Sequence, residues 1–147
     1  MTKENGLSHV KYLDAEDIAV IYGILETRFK KIGEPIPSFA LVNKAEIENL
    51  VALPQTKFYQ EEQYNTFEAK AVILFYKINK GHIFPNGNKR MSIACLLVFL
   101  AINDYDCDLT EDELTEKAIW LAKSDAAEFE RVKKDLETWI QAHCAFK

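Results

Sequence analysis

Glycine and proline are scarce in this chain, with five and four residues among 147. Such a low content excludes a long flexible linker or a proline-rich repeat. Neither an internal repeat nor a shift in composition divides the sequence. Its length is enough to bury a hydrophobic core, so we predict a single domain over residues 1–147.

An excess of positive charge is also lacking. The formal net charge is −5, which argues against direct nucleic-acid binding, because that function needs a dominant basic face. The polar N-terminus, Met1 to Asn5, has no apolar core of a secretion signal. The apolar run from Ile93 to Ile102 is too short to span a bilayer and is typical of a buried helix. We therefore expect a cytoplasmic protein without a membrane partner.

Cysteine is rare and forms no recognisable pair. Cys95, Cys107 and Cys144 are odd in number, lie far apart and include no Cys-x-x-Cys motif. Reduced thiols in the cytoplasm are the simplest interpretation. The three histidines and three cysteines have no ligand spacing, which argues against a zinc site.

Helical periodicity dominates the rest of the sequence. Val10 and Tyr12 alternate with polar residues and suggest one short strand, whereas residues 55–60 look irregular. N-caps, apolar stripes and stop signals predict an all-α protein of about six helices around a central apolar helix. The predicted helices cover Ala15 to Lys31, Lys44 to Ala52, about Glu62 to Lys80, about Asn88 to Asn103, a segment capped by Thr110 that runs to about Lys123, and a last segment capped by Ser124.

The most informative segment runs from His82 to Arg90, between two strongly helical stretches. The imidazole of His82 can take a proton from a hydroxyl. Gly87 permits positive φ and close approach of a ligand to the backbone. The free N–H groups of Asn88, Lys89 and Arg90, together with the dipole of the helix that they begin, form a binding site for anions.

The side chains of the same segment suit a phosphate. Arg90 can bind it with two hydrogen bonds, Lys89 adds a point charge, and Asn88 can both donate and accept. Phe84 is predicted to anchor the loop in the core. With a base alongside, these groups suit phosphoryl or nucleotidyl transfer from a bound nucleotide to a protein hydroxyl. The alternatives are an ordinary loop histidine at position 82 and a solvated basic helix start.

Residues 82–90, His-Ile-Phe-Pro-Asn-Gly-Asn-Lys-Arg, resemble the signature of the Fic/Doc (Fido) family, His-x-Phe-x-[Asp/Glu]-[Gly/Ala]-Asn-[Gly/Lys]-Arg. Lysine at the eighth position is the form of the Doc-like, or death-on-curing, subgroup. The resemblance covers roughly residues 10–142. It implies a compact helical bundle, in some members with a short β-hairpin flap that aligns the target chain.

The resemblance also implies a reaction and its partners. His82 would be the general base for a Ser, Thr or Tyr hydroxyl of a target protein. Gly87 and Asn88 would form the anion hole, and Arg90 would pair with the phosphates of ATP. Lys89 stands where adenylylating members carry glycine, which implies transfer of the γ-phosphate. Doc-like toxins act on the translation machinery and are inhibited by a separate Phd-type antitoxin.

One position departs from the signature. Asn86 stands where the family has the Asp or Glu that ligates Mg²⁺, and a neutral amide is a weaker ligand for this hard cation. Either Asn86 still binds the ion through its carbonyl oxygen, or another group compensates, or activity is reduced. Two further functions therefore stay open. They are a Fic-type nucleotidyltransferase that transfers AMP, and an inactive helical module that binds a nucleotide or a partner.

Overall fold

The computed structural model describes residues 9–147, which form six α-helices and two small antiparallel sheets. This content confirms the all-α class, while the polar segment from Met1 to Asn5 lies outside the described residues. The helices are α1 (Ala15–Lys31), α2 (Lys44–Ala52), α3 (Phe67–Lys80), α4 (Asn88–Ile102), α5 (Glu111–Lys123) and α6 (Phe129–His143). The strands are β1 (Lys57–Phe58), β2 (Glu61–Glu62), β3 (Tyr105–Cys107) and β4 (Cys144–Phe146), paired β1 with β2 and β3 with β4.

Side chains that accept hydrogen bonds from the first turn set most helix starts. Asp14 and Asp17 form a reciprocal capping box at α1, and Thr110 and Glu113 form another at α5. At α2 the side chain of Asn43 accepts a single such bond. These contacts satisfy backbone N–H groups that the helix itself leaves free. α1, α2 and α5 accordingly occupy the predicted residues.

The predicted start of the third helix is wrong. α3 begins at Phe67 and not near Glu62, because Thr66 accepts a hydrogen bond from Ala69 N (3.0 Å) and so forms the N-cap. The preceding residues form the short β1–β2 hairpin, in which Phe58 pairs with Glu61. The stretch that looked irregular in sequence is thus partly a strand pair.

The predicted cap of the last helix is also wrong. Ser124 ends α5, and its hydroxyl donates to Leu121 O (2.6 Å). The side chain of Asp125 then caps a 3₁₀ turn at Ala126–Glu128, and α6 begins only after that turn. A serine hydroxyl can satisfy a carbonyl as readily as an amide, so its sequence position does not decide which helix it caps.

The strand suggested at Val10 and Tyr12 does not form. The backbone of Lys11 is bonded instead to the side chain of Asn103: Lys11 N donates to Oδ1 (2.7 Å), and Nδ2 donates to Lys11 O (2.9 Å). These bonds satisfy an extended segment without a partner strand. They also tie the segment before α1 to the end of α4.

The core is centred on α3 and α4, which run antiparallel because only residues 81–87 join them. α4 also contacts α1, α5 and β3, in agreement with the predicted central apolar helix. Its outer side stays open at Leu97, which is 37% exposed. Within residues 9–147 no helix, α4 included, is long and apolar enough to cross a membrane.

A buried lysine fastens the β1–β2 hairpin to the N-terminal half of α3. Lys70 is 0% exposed, and its Nζ donates to Pro54 O (2.8 Å) and to Glu62 Oε2 (3.0 Å). The 14 residues of α3 span about 21 Å at 1.5 Å per residue. The hairpin therefore lies at the opposite end of α3 from the loop that follows this helix.

Lys70→Ala is expected to lower the free energy of unfolding by about 3 kcal/mol, because it removes a fully buried side chain and deprives Glu62 of its ion-pair partner. Urea denaturation measures this loss. The control is Lys77→Ala, which alters an exposed lysine of the same helix and should change stability by no more than about 0.5 kcal/mol. Equal effects of the two substitutions would show that the buried pair contributes nothing.

Candidate active site

Unusual backbone conformations shape the loop between α3 and α4. Gly81 ends α3, and a Cβ at this position would lie 2.4 Å from Lys77 O, so no larger residue fits without a shift. His82 follows with a φ of +50°, in the left-handed region. Gly87, the N-cap of α4, has a φ of +77°, which glycine adopts without a steric penalty. The chain thereby reverses direction and brings His82 to the start of α4.

The aromatic ring of Phe84 and the side-chain amide of Asn88 hold the loop in place. Phe84 is 2% exposed, and its ring stacks on that of Tyr22 with the centroids 5.4 Å apart. Asn88 Oδ1 accepts a hydrogen bond from Phe84 N (3.0 Å), and its Nδ2 donates to Phe84 O (2.9 Å). The Asn88 side chain, which the sequence suggested as a phosphate ligand, is thus engaged by the loop. Its backbone N–H remains part of the helix start.

The loop opens into a cavity of about 660 Å³. Its walls come from the end of α1 and the segment after it, the end of α3, the loop with the start of α4, and the end of α5. The cavity brings together six of the predicted site residues, namely His82, Asn86, Gly87, Asn88, Lys89 and Arg90. The other lining residues are Phe29, Glu34, Pro35, Ile36, Asn79, Lys80, Pro85 and Ala122.

Positive charge concentrates where α4 begins. Lys89 and Arg90 are exposed in its first turn, and Gly87 has no side chain to cap the free N–H groups. The Arg90 guanidinium lies over the ring of Phe29, 4.9 Å from its centroid, a contact that orients the charge. Two cations at a helix start are opposed by the helix dipole unless an anion balances them. The arrangement therefore fits a phosphate group.

Lys80, which the sequence did not single out, also lines the cavity. Its Nζ donates to Leu121 O (3.2 Å) and to Ser124 O (2.6 Å) at the end of α5. These carbonyls carry the partial negative charge of a helix C-terminus and compensate the ammonium. Lys80 thus holds α5 against the site. In sequence it is only a basic residue in the last turn of α3, with no sign of a partner on another helix.

The buried Asn79 of α3 is linked by hydrogen bonds to α5 and to the first turn of α4. Asn79 is 4% exposed, and its Nδ2 donates to Ala118 O (3.0 Å) and to Ser92 Oγ (3.4 Å). The Ser92 hydroxyl donates in turn to Lys89 O (2.6 Å). Asn79 Oδ1 is buried without a hydrogen-bond partner among the described residues. The chain of contacts links α3 and α5 to the turn that carries Lys89.

The donors around Asn86 do not fit a resident Mg²⁺. Asn86 is exposed, and its Oδ1 accepts a hydrogen bond from Gly87 N (2.7 Å). The carboxylate that lines the same cavity is that of Glu34, but residues 9–147 contain no group of three or more His, Cys, Asp or Glu arranged to hold a metal.

The cavity combines a base with an anion site. The exposed His82 imidazole shares it with two cations and a helix N-terminus. A hydroxyl that attacks phosphorus needs a group to take its proton and positive charge to stabilise the phosphate oxygens. The arrangement is chemically competent for transfer of a phosphate-containing group.

The sequence model of the Fic/DOC family matches residues 12–100, which is more than half of the 147 residues and includes the whole segment 82–90. The chain belongs to the Fic/DOC family. Members of this family are in general transferases that act on proteins. A comparison with curated proteins gives no match. The family match ends within α4, so α5 and α6 of this Fic/DOC protein lie outside the matched range.

Asn88→Ala is expected to lower the free energy of unfolding by about 2 kcal/mol, because it leaves the N–H and C=O of Phe84 without partners. Urea denaturation checks this value. Lys89→Ala, an exposed neighbour in the same turn, is the matched control and should stay within about 0.5 kcal/mol of the wild type. Wild-type stability of Asn88→Ala would mean that the two hydrogen bonds do not hold the loop.

Proposed function

We propose that this Fic/DOC protein is a Doc-like phosphotransferase, which moves the γ-phosphoryl group of ATP to a Ser, Thr or Tyr hydroxyl of another protein. The observation that carries the proposal is the shared cavity of His82, Lys89 and Arg90 at the start of α4. It supplies a base, two cations and free backbone N–H groups on one wall. The wider expectations of a cytoplasmic toxin, a target in the translation machinery and a Phd-type antitoxin belong to the same proposal.

The reaction assigns each group one task. His82 takes the proton of the target hydroxyl while its oxygen attacks the γ-phosphorus. A new O–P bond forms, the bond between the γ-phosphorus and the β,γ-bridging oxygen breaks, and ADP leaves. Lys89, Arg90 and the first N–H groups of α4 balance the charge on the phosphate oxygens. Positioning and charge neutralisation supply most of the catalysis in such a transfer.

The identity of residue 89 supports transfer of the γ-phosphate over transfer of AMP. Adenylylating relatives carry glycine at the corresponding position, as the signature implies. Lys89 adds a cation to the cavity wall where glycine would leave backbone only. A nucleotide held by this ammonium would therefore present a different phosphorus to the base.

The target chain is expected to contact the segment after α1. Glu34, Pro35 and Ile36 border the cavity, and the hydroxyl of Tyr22 donates to Pro37 O. The β1–β2 hairpin is a poor candidate for the aligning flap, because it lies at the far end of α3. Residues 33–43 are thus the better candidate for the part that aligns the target.

A transfer assay with two labels tests the proposal. The protein is incubated with a cell lysate and with ATP labelled at either the γ- or the α-phosphate. We expect protein-bound label from the γ-phosphate, reduced by about 10²–10⁴-fold in His82→Asn, which loses the general base. Asparagine is the matched replacement, because it tolerates the left-handed backbone of position 82.

The label decides among the functions. Label from the α-phosphate alone would replace the proposal by a Fic-type nucleotidyltransferase, and no His82-dependent label from either phosphate would reject both enzymes. Lys89→Gly in the same assay is expected to lose the γ-label at least about tenfold, as one charge contact to phosphate contributes on the order of 1.4 kcal/mol. An unchanged rate would exclude Lys89 from the choice of phosphorus.

A nucleotide-binding module without turnover is the second candidate, and Asn86 favours it. Its amide oxygen is engaged by Gly87 N, and the family's usual metal ligand is absent from position 86. Calorimetry of ATP binding with and without Mg²⁺ is the appropriate measurement. We expect Mg²⁺ to tighten binding at least about tenfold more in Asn86→Asp than in the wild type, because a carboxylate is the stronger ligand. An equal effect of Mg²⁺ on both proteins would refute a metal deficiency at Asn86.

A further inference from the structure

Cys107 and Cys144, which lie far apart in sequence, face each other in the β3–β4 sheet. Their Cα atoms are register partners in the antiparallel pair. Cys144 is 8% exposed and Cys107 is half-buried, and both are free thiols. The third cysteine, Cys95, is fully buried in α4. Their spacing in the sequence does not pair any two of the three.

The hydrogen bonds of the sheet show whether the two cysteines form a hydrogen-bonded or a non-hydrogen-bonded pair. Asp108 N donates to His143 O (3.0 Å), and Lys147 N donates to Asp104 O (3.0 Å). Hydrogen-bonded and non-hydrogen-bonded residue pairs alternate along an antiparallel ladder. Cys107 and Cys144 therefore form a non-hydrogen-bonded pair. There the Cα atoms are about 4.5 Å apart, inside the range of about 4.4–6.8 Å that a disulfide bridges.

A contact between neighbouring rings shows that the side chains of this pair lie on the same face of the sheet. The next non-bonded pair, Tyr105 and Phe146, brings its rings to 5.6 Å between centroids on one face of the sheet. Residues two apart in a strand share a face, so the cysteine side chains lie on that face too.

We propose that Cys107 and Cys144 form a reversible intramolecular disulfide in the folded protein. Cys107, the more accessible thiol, attacks a small disulfide such as oxidised glutathione as its thiolate, which gives a mixed disulfide and releases one thiol. Cys144 then loses its proton to solvent and attacks the sulfur of Cys107, which releases the second thiol. Burial raises the pKa of the Cys144 thiol, which makes the second step the slower one.

The bond would constrain the part of the molecule that follows the family match. It closes the chain from residue 107 to residue 144, a loop that contains α5 and α6. Ala122 of α5 lines the candidate active cavity, and the carbonyls of Leu121 and Ser124 bind Lys80 beside it. Oxidation would thus stabilise one wall of that cavity through the fold, without a change at the wall itself.

Oxidation of the full chain with glutathione disulfide, followed by thiol titration in denaturant, tests the bond. The count should fall from three thiols to one, and peptide mapping should recover Cys107 linked to Cys144. The melting temperature should rise by about 10 °C, since the bond closes a loop of several tens of residues. Reduction should restore the original count and melting temperature.

Cys107→Ser and Cys144→Ser are the matched variants, each a near-isosteric change that removes one partner. Neither should gain an intramolecular disulfide or a higher melting temperature on oxidation. Both should keep two titratable thiols, unless one of them forms a mixed disulfide with glutathione. Three free thiols in the oxidised wild type, a bridge that includes Cys95, or a mixed disulfide at Cys107 that does not close would each overturn the proposal. A fall in the melting temperature on closure would show that the bond does not fit the folded sheet.

Discussion

The two hydrogen bonds between the side chain of Asn88 and the backbone of Phe84 are the contact on which the site depends. They close the loop on itself where α4 begins, so His82 and the first N–H groups of α4 face one cavity. The Phe84 ring stacks on Tyr22, whose hydroxyl donates to Pro37 O beside the cavity. One continuous network therefore fixes His82, the start of α4 and the segment that borders them.

The starts of α1, α2 and α5 could be predicted from the sequence, because each has a local capping side chain. The capping pair of Asp14 and Asp17 lies within one turn, so the start of α1 is legible without any tertiary information. A local contact was not always enough, because Thr66 and Ser124 also bond within three residues and the helix starts predicted near them were wrong. The contacts that the sequence did not indicate at all join distant residues. Asn79 and Ala118 are 39 residues apart, and Lys80 and Leu121 are 41 apart. Helix propensity carries no information about such pairs, because they form only when α3 packs against α5.

The residues of the candidate site could also be predicted from the sequence. Which of their polar groups remain free to bind a ligand could not. Asn86 and Asn88 carry the same amide, which serves a phosphate, a metal ion or a backbone peptide equally well. The sequence assigned both to ligands, whereas each is hydrogen-bonded to its own loop. That outcome depends on the left-handed turn at Gly87, which brings the loop backbone within reach of both side chains. Residue types thus indicated the chemistry, and the turn geometry decided which groups remain free for it.

Asn86 stands where the family signature has an acidic residue. This difference has opposite expected consequences for nucleotide binding and for turnover. It removes a negative charge beside Lys89, Arg90 and a helix N-terminus, so the attraction of the site for phosphate oxygens increases even where its attraction for Mg²⁺ falls. Cations that bind the substrate and the transition state equally lower KM without raising kcat. Turnover in the proposed transfer therefore depends on contacts that strengthen only as the bond to the leaving group breaks. In the proposed transfer, the flexible ammonium of Lys89 is better suited to such a contact than the Arg90 guanidinium, which is already held over Phe29.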